Sequence, residues 1–235
     1  QAARRGAFSP LGMHLAKADG TWDFDEQGPS KKLRYLLHFD ASGVPDGFAE
    51  FKHGGFVSKY SESPAPTAVL SVCSSTPEVE RALWQGLASF DLVEKLTYES
   101  AGLDDPLPGS LIDPWAIKQN AIRDGIWLRI LDLEEAVADR GFESDGHVVI
   151  KVADSMGFCE GAWCITVREG RGEAARTSLS PAVELGVDSL ARLWFGDVTA
   201  VQLARSGLIH GSPGSVQKLS RLFATACGPV NLNDF

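Results

Sequence analysis

Apolar residues in the first half of the chain occur in short runs typical of strands. Three runs rich in apolar and β-branched residues predict strands at residues 33–39, 47–53 and 67–73. Turn-forming residues at 40–46 separate the first two runs and predict an antiparallel hairpin. A fourth run, at 95–99, fits a strand that returns to the same sheet.

The stretch between the third and fourth runs has the periodicity of an amphipathic helix. Thr76 suits the N-cap, Pro77 suits the first helical position, and Glu78 is favourable at the positive end of the helix dipole. Apolar and small side chains then recur on one face: Val79, Ala82, Leu83, Gly86, Leu87 and Phe90. The first half is therefore predicted to run strand, strand, strand, helix, strand.

The second half of the chain has a different order of predicted strands and helices. Residues 126–131 read as an apolar strand, and Asp132 then caps a short helix, with Glu135 at the capping-box position and Gly141 after the end. Three further runs predict successive strands of one sheet, at 147–153, 162–167 and 174–179. The charged run from Arg168 to Glu173 between the last two predicts a solvated hairpin turn.

Three helical segments are predicted after Pro181, and Ser212-Pro213 opens the third. Their apolar positions are Leu190, Leu193 and Trp194, then Val201, Leu203 and Ala204, and finally Val216, Leu219, Phe223 and Ala226.

Residues 101–114 contain three prolines and two glycines, which are incompatible with a continuous helix or a central strand. We interpret this segment as a crossing between domains. The predicted domains are residues 1–118 and residues 119–235, and both belong to the α+β class.

Composition and charge exclude several classes of function. The 235 residues carry 22 basic and 31 acidic groups, a net charge of −9 without a basic run, which argues against nucleic-acid binding. The excess of acidic residues would favour cationic partners, and it would also favour ordinary solubility.

No apolar run is long enough for a membrane span, and the start at Gln1 has no signal-peptide core. We expect a cytoplasmic location, with secretion without a signal peptide as the alternative, and a chain that was processed or belongs to a longer protein.

The cysteines give no clear sign of a metal site. Cys159 and Cys164 are five residues apart, and no nearby histidine completes a ligand set, so we expect no metal. Four cysteines could form two disulfides on count alone, but reduced thiols, mostly buried, are the simpler interpretation.

Loops that bind nucleotides or coenzymes are missing. The sequence contains neither GxGxxG nor GxxxxGK[ST], nor the acetyl-CoA signature [QR]xxGx[GA]. The loop before the first predicted helix, residues 74–77, has no glycine, and Pro77 removes an N–H donor. Because a pyrophosphate cradle needs close backbone approach and free N–H groups, we expect no coenzyme at this position.

The end of the chain carries the strongest candidate for chemistry. A large apolar residue, Phe235, bears the terminal carboxylate, and Asp234 precedes it. A buried phenyl ring would hold the α-carboxylate in one place, where it could act as a general base whose pKa Asp234 perturbs. Simple packing of the ring is the alternative that the residues alone leave open.

A series of spaced motifs resembles the enhanced intracellular survival (Eis) family of N-acetyltransferases. The motifs are Leu-Asp-Asp-Pro-Leu at 103–107, Asp113-Pro114, the stretch 124–142, Val-Ala-Asp at 152–154, Gly-Ala-Trp at 161–163, Leu-Trp-Phe-Gly at 193–196 and Leu-Ala-Arg-Ser-Gly at 203–207. Leu83-Trp84 and residues 90–93 also fit, so the resemblance extends over nearly the whole chain.

The resemblance implies that this chain is the second and third parts of a three-part protein. A degenerate GNAT-like domain would be followed by a sterol-carrier-protein-like α/β domain. Acetyl-CoA would be bound by a missing N-terminal GNAT domain and not by this chain. That domain would also supply the general-acid tyrosine, because Tyr35, Tyr60 and Tyr98 do not match its motif.

The resemblance also implies roles for the chain end and for partners. The carboxylate of Phe235 would be the general base toward a primary amine, and Asp234 would help to bind the cationic substrate. The amine would belong to an aminoglycoside-like or lysine-bearing molecule, the chain alone would be inactive, and the protein would form a homo-oligomer. Two alternatives without catalysis are a module that binds a lipid or sterol and a scaffold for oligomerisation.

Overall fold

The computed structural model describes residues 16, 19–22, 27–55, 65–91, 93–123, 127–196 and 198–229. In this part of the chain, residues up to 122 form one compact unit and residues 123–229 form another, here called the first and second units. Each unit combines one sheet with helices, as expected for the α+β class. The domain limits 1–118 and 119–235 stay predictions, because both chain ends lie outside the described residues.

The first unit is built on a four-stranded sheet in the order β1-β2-β3-β4. Its strands are β1 (Leu33–Phe39), β2 (Pro45–Lys52), β3 (Thr67–Ser74) and β4 (Leu96–Tyr98). The pairs β1–β2 and β2–β3 are antiparallel, whereas β3 and β4 are parallel. The predicted hairpin and all four predicted strands are confirmed.

Helix α1 (Pro77–Ala88) packs on this sheet and begins where the sequence predicts. The hydroxyl of Thr76 accepts a hydrogen bond from the backbone N–H of Val79 at 3.4 Å. The helix lies close to β2 because Gly47 has no side chain, and a Cβ there would be 2.4 Å from a methyl carbon of Val79. The buried core of the unit comprises Ala49, Phe51, Val69, Val79, Leu83, Trp84 and Leu87.

The proline-rich segment after β4 is irregular, as its composition predicts. It contains a single helical turn, α2 (Leu107–Ser110), and a 3₁₀ turn at Pro114–Ala116 that is capped by Asp113. Leu107 packs against the core of the first unit.

The second unit has a five-stranded sheet in the order β7-β6-β5-β8-β9. Its strands are β5 (Gly146–Ala153), β6 (Gly161–Arg168), β7 (Arg171–Arg176), β8 (Val183–Gly186) and β9 (Ile209–Gly211). Its helices are α3 (Leu133–Asp139), α4 (Val187–Trp194), α5 (Ala200–Arg205) and α6 (Pro213–Phe223). The pairing of β5 with β8 is parallel and the others are antiparallel.

The four helices bury their apolar faces against this sheet. Asp132 caps α3, Thr199 and Gln202 form a capping box on α5, and Ser212 caps α6. The largest fully buried side chains of this core are Phe223, Leu133, Ile150, Ile165, Leu190, Leu193 and Leu219. The predicted cap at Asp132 and the three predicted helices after Pro181 are confirmed, although Ala226 lies beyond the end of α6.

Two strand predictions in this unit are wrong. Residues 127–131 form no strand, and Trp127 and Leu131 are exposed while Ile130 is buried. The strand expected at 174–179 lies instead at Arg171–Arg176. It starts early because Glu169 and Gly170 both have positive φ and form a two-residue turn that pairs Arg168 with Arg171.

Two short strands, β8 and β9, have no counterpart in the prediction. Each spans at most four residues, so its alternation of apolar and polar residues is too short to distinguish it from the start of a helix.

Among the described residues, no helix is long and apolar enough to cross a membrane. The four cysteines are free thiols, with Cys159 buried and Cys227 exposed.

Candidate functional site

The two residues predicted to act in chemistry, Asp234 and Phe235, lie outside the described residues. The description ends at Pro229, six residues before the terminus. Their predicted roles stay predictions. The described residues closest to them in sequence are those that follow α6.

A buried arginine lies at this place. Arg140, the C-cap residue of α3, keeps only 5% of its surface exposed. Its Nε donates to the carbonyl of Trp194 and its Nη2 donates to the carbonyl of Phe223, both at 2.9 Å. These carbonyls belong to the last residues of α4 and α6, so one guanidinium joins three helix ends.

Aromatic rings surround the same guanidinium. Its central carbon is 4.5 Å from the ring centroid of Phe142, 4.8 Å from that of Phe223 and 5.8 Å from that of Trp194. Each such contact adds a cation–π attraction of about 0.5–2 kcal/mol. The rings of Phe142 and Phe223 also meet edge to face, with centroids 5.8 Å apart. The end of α6 is therefore fixed by packing as well as by hydrogen bonds.

Glu143 and Thr225 make three further hydrogen-bond contacts in the segment after α6. The carboxylate of Glu143 accepts a hydrogen bond from the backbone N–H of Ala226 at 2.9 Å. The hydroxyl of Thr225 lies 2.8 Å from the carbonyl of Cys227 and 3.5 Å from that of Phe195. Gly196 permits this arrangement, because a Cβ at this position of positive φ would be 2.4 Å from a methyl carbon of Thr225.

The loop at the start of α1 offers little to a coenzyme phosphate. The N–H of Ser75 donates to the carbonyl of Asp46, the N–H of Val79 donates to the hydroxyl of Thr76, and Pro77 has none. Two acidic residues, Glu78 and Glu80, occupy the first turn. Hydrogen bonds from the backbone N–H of Glu78 itself and from the side chain of Arg81 lower the pKa of the Glu78 carboxyl. Negative charge there repels an anion.

The motif residue Asp154 has a structural role. Its buried carboxylate accepts hydrogen bonds from the backbone N–H groups of Cys159 (2.9 Å) and Met156 (3.0 Å), and it pairs with Arg129. The backbone donor at Cys159 contributes most to lowering the pKa of this carboxyl. Among the described residues, no cluster of histidine, cysteine and carboxylate side chains could hold a metal ion.

Sequence reasoning did not identify Arg140, Glu143 or Thr225. The one available signal was the position of Arg140 in the Asp-Arg-Gly-Phe sequence at 139–142, inside a stretch that carries the family resemblance. A lone arginine at the end of a short helix is usually solvated, so this signal was weak.

Comparisons with known proteins agree with both units. Residues 14–130 match the family described as the Acetyltransferase (GNAT) domain, and residues 133–230 match the Sterol carrier protein domain. An uncharacterized N-acetyltransferase of Streptomyces avermitilis is 32% identical over 189 residues, which are 79% of this chain and 44% of that protein. The N-acetyltransferase Eis of Mycobacterium tuberculosis is 25% identical over 202 residues, 84% of this chain and 46% of that protein.

A solved structure extends the likeness to three dimensions. The crystal structure of Eis1 from Mycobacterium abscessus superposes with a TM-score of 0.71 at 30% identity, over 82% of this chain and 49% of that one. A GCN5-related N-acetyltransferase from Anabaena variabilis shares the fold with a TM-score of 0.68 at 18% identity. The predicted order of a GNAT-like domain followed by a sterol-carrier-like domain is thereby confirmed. The chain spans less than half the length of the curated relatives just named.

Proposed function

Because this chain belongs to the Eis-like family of GNAT N-acetyltransferases, we propose that the intact protein transfers an acetyl group from acetyl-CoA to a primary amine. This chain would supply the substrate-side wall of the site and the terminal carboxylate. The amine would be that of an aminoglycoside-like molecule or of a lysine. Membership in the family, with both of its domain types in the expected order, supports the reaction class.

The length of the relatives suggests which part of the intact protein would do what. The relatives are more than twice as long as the part that matches this chain. We therefore assign acetyl-CoA binding and the general acid to the part of the intact protein that this chain does not match. The start of α1 supports this assignment, because the amides of Ser75 and Val79 already donate hydrogen bonds and the first turn is acidic. The chain by itself would then be inactive.

The proposed proton transfers can be written in full. The Phe235 carboxylate accepts a proton from the substrate ammonium, and the free amine nitrogen attacks the carbonyl carbon of the acetyl thioester. The carbon–sulfur bond would then break, and the departing thiolate would take a proton from the general acid of the other half. The nitrogen would lose its second proton to the deprotonated general acid, which restores that acid, and the Phe235 carboxyl group would release its proton to solvent. The products are the N-acetylated amine and coenzyme A. Asp234 would attract the cationic substrate.

The observation that carries this proposal is the fixed departure point of the carboxyl-terminal segment. A general base must stay within hydrogen-bond reach of the proton that it removes, which a freely moving chain end does rarely. Arg140 and Glu143 hold the backbone at Phe223 and Ala226, so only nine residues separate the last anchor from the carboxylate.

Truncation of the full-length protein tests the proposal. Steady-state kinetics would use acetyl-CoA and a panel of primary amines that includes an aminoglycoside and a lysine peptide. Deleting Phe235 is expected to lower kcat by about 10²–10⁴-fold on the best amine, since the base is displaced by one residue. Phe235→Leu keeps a carboxylate at the same position in the sequence but removes the ring, so it separates the contribution of the carboxylate from that of the ring. Unchanged turnover after the deletion, or no acetylation of any amine by the intact protein, contradicts the proposal.

The lipid-binding alternative receives no support from the second unit. Ile150, Ile165 and Leu190 belong to one buried apolar cluster of this unit, which is what a sheet covered by helices requires with or without a ligand. A homo-oligomer remains part of the proposal, and exposed apolar side chains at Ile112 and Trp115 are compatible with burial against further protein.

A further inference from the structure

A cleft lies on the face of the first unit's sheet that points away from the core under α1. Leu37, Phe48 and Cys73 are direct neighbours on β1, β2 and β3, so their side chains form one row across the sheet. Ala49, the residue after Phe48, points to the opposite face and belongs to the buried core. Leu37 and Phe48 keep 50% and 37% of their surface exposed, so the floor of the cleft offers apolar surface to a ligand.

The cleft has a polar end, where β2 begins and β3 finishes. Asp46 lies there beside Ser74 and Ser75, and the N–H of Ser75 donates to the carbonyl of Asp46 at 3.0 Å. The Nδ1 of His38 is 2.5 Å from the Oδ1 of Asp46. Because an ionised carboxylate only accepts hydrogen bonds, the imidazole is the donor of this bond. The carboxylate of Asp46 is therefore held in one orientation at the end of the cleft.

The charge around the cleft is negative. Glu50 follows Phe48 by two positions on β2 and faces the same side of the sheet, where it accepts a hydrogen bond from the hydroxyl of Ser71 at 3.0 Å. Burial raises the pKa of the Cys73 thiol most, and the Glu50 carboxylate raises it as well, so the negative potential reaches the floor. Among the described residues that line the cleft, none is a lysine or an arginine. Such a surface attracts a cation and repels an anion.

We propose that this cleft binds a small organic cation with an apolar body. The body lies on Leu37, Phe48 and Cys73, and the cationic head pairs with Asp46. The cleft has a volume of about 360 Å³, within the range of about 300–1,000 Å³ that is typical of small-molecule sites. The inference does not depend on the proposed reaction. Binding can be measured on the 235-residue chain without acetyl-CoA, and its failure would leave the proposed function standing.

Three probes that share a phenyl ring and differ in the head group test the charge preference. They are phenethylamine, phenethyl alcohol and phenylacetate, each titrated calorimetrically into the 235-residue chain. Phenethylamine should bind with a Kd below about 1 mM. The alcohol should bind about tenfold more weakly, because it lacks the charge, and phenylacetate should give no saturable heat.

Substitutions separate the contribution of the head from that of the floor. Asp46→Asn keeps an acceptor for His38 but removes the charge, so the Kd of phenethylamine should rise about tenfold or more while that of the alcohol changes less than about twofold. Asp40→Asn, in the exposed turn of the same hairpin, is the matched control and should change neither. Phe48→Ala removes part of the floor and should weaken both probes by the same factor, about five- to tenfold. Circular dichroism would verify that each variant folds.

The thiol of Cys73 reports where the amine binds. Saturating phenethylamine should slow alkylation of Cys73 by N-ethylmaleimide by at least about threefold, as measured by peptide mass spectrometry, because the ligand covers the thiol. The exposed Cys227 is the internal control. Equal binding of the amine and phenylacetate, no binding of any probe, or amine binding that neither Asp46→Asn nor Cys73 alkylation detects overturns the proposal. A change in sedimentation on Phe48→Ala without binding of any probe would assign this face to a protein contact instead.

Discussion

The guanidinium of Arg140 donates a hydrogen bond to the backbone carbonyl of Phe223, a residue 83 positions further along the chain. This contact joins the end of a short helix near the start of the second unit to the end of its last helix. The ring of Phe223 also packs on the same guanidinium, so backbone and side chain are held by one residue. The carboxyl-terminal segment therefore leaves from a part of the molecule that is stabilised by long-range contacts.

Replacing Arg140 by methionine should reveal how much this contact contributes to stability. Arg140→Met keeps an apolar side chain of similar length but leaves the carbonyls of Trp194 and Phe223 without their donor. The free energy of unfolding is expected to fall by about 2–4 kcal/mol. Urea denaturation followed by tryptophan fluorescence would measure the change. Arg171→Met, at an exposed strand end, is the control, and equal effects of both variants would show that the buried hydrogen bonds contribute little.

Local signals were sufficient for the elements of the first unit. The hairpin at 33–52 has alternating apolar residues around a turn, and α1 has Thr76, Pro77 and a regular apolar face. Such patterns depend on residues near each other in sequence, which is why they could be predicted. The second unit contains β8 and β9, whose identity depends on pairing with β5 and with each other. Tertiary pairing of that kind leaves no periodic pattern in so few residues.

The candidate site was predictable only in part, for a similar reason. Phe235 and Asp234 stand out in the sequence, and the family resemblance implies the roles proposed for them, which stay predictions. Arg140 and Glu143 meet their partners 83 positions away, and both partners are backbone groups. A backbone carbonyl or N–H carries no residue-type signature, so no inspection of the sequence could have paired these residues.

The carboxylate of Asp154 should make the stability of the second unit depend on acid pH. Hydrogen bonds from the backbone of Cys159 and Met156, together with Arg129, hold the pKa of this carboxyl below its usual value. A carboxyl whose pKa is lower in the folded state than in the unfolded state stabilises the fold at pH values above the unfolded pKa of about 3.9. That contribution is lost as the pH falls through the folded pKa.

Unfolding experiments between about pH 3 and pH 7 would detect this dependence. The wild-type chain should lose stability more steeply below about pH 5 than the Asp154→Asn variant, whose side chain does not titrate. The variant should also be less stable at neutral pH, because an amide pairs less strongly with Arg129. Asp40→Asn is a suitable control, since Asp40 has a lowered pKa but is exposed. Parallel curves for wild type and Asp154→Asn would assign the acid sensitivity to other groups.

The chain alone is expected not to bind acetyl-CoA. The start of α1 is the place where a GNAT-like domain would receive the pyrophosphate, yet its Ser75 and Val79 amides already have acceptors and Pro77 has no N–H. Isothermal titration of the 235-residue chain with acetyl-CoA should therefore give no saturable heat, whereas the full-length protein should bind with a 1:1 stoichiometry. Thr76→Gly would free the amide of Val79 but leave Glu78 and Glu80 in the first turn, and this variant should not bind either. Stoichiometric binding by the chain alone would instead place a working coenzyme site within this chain and would contradict the proposal that a further part of the protein binds acetyl-CoA.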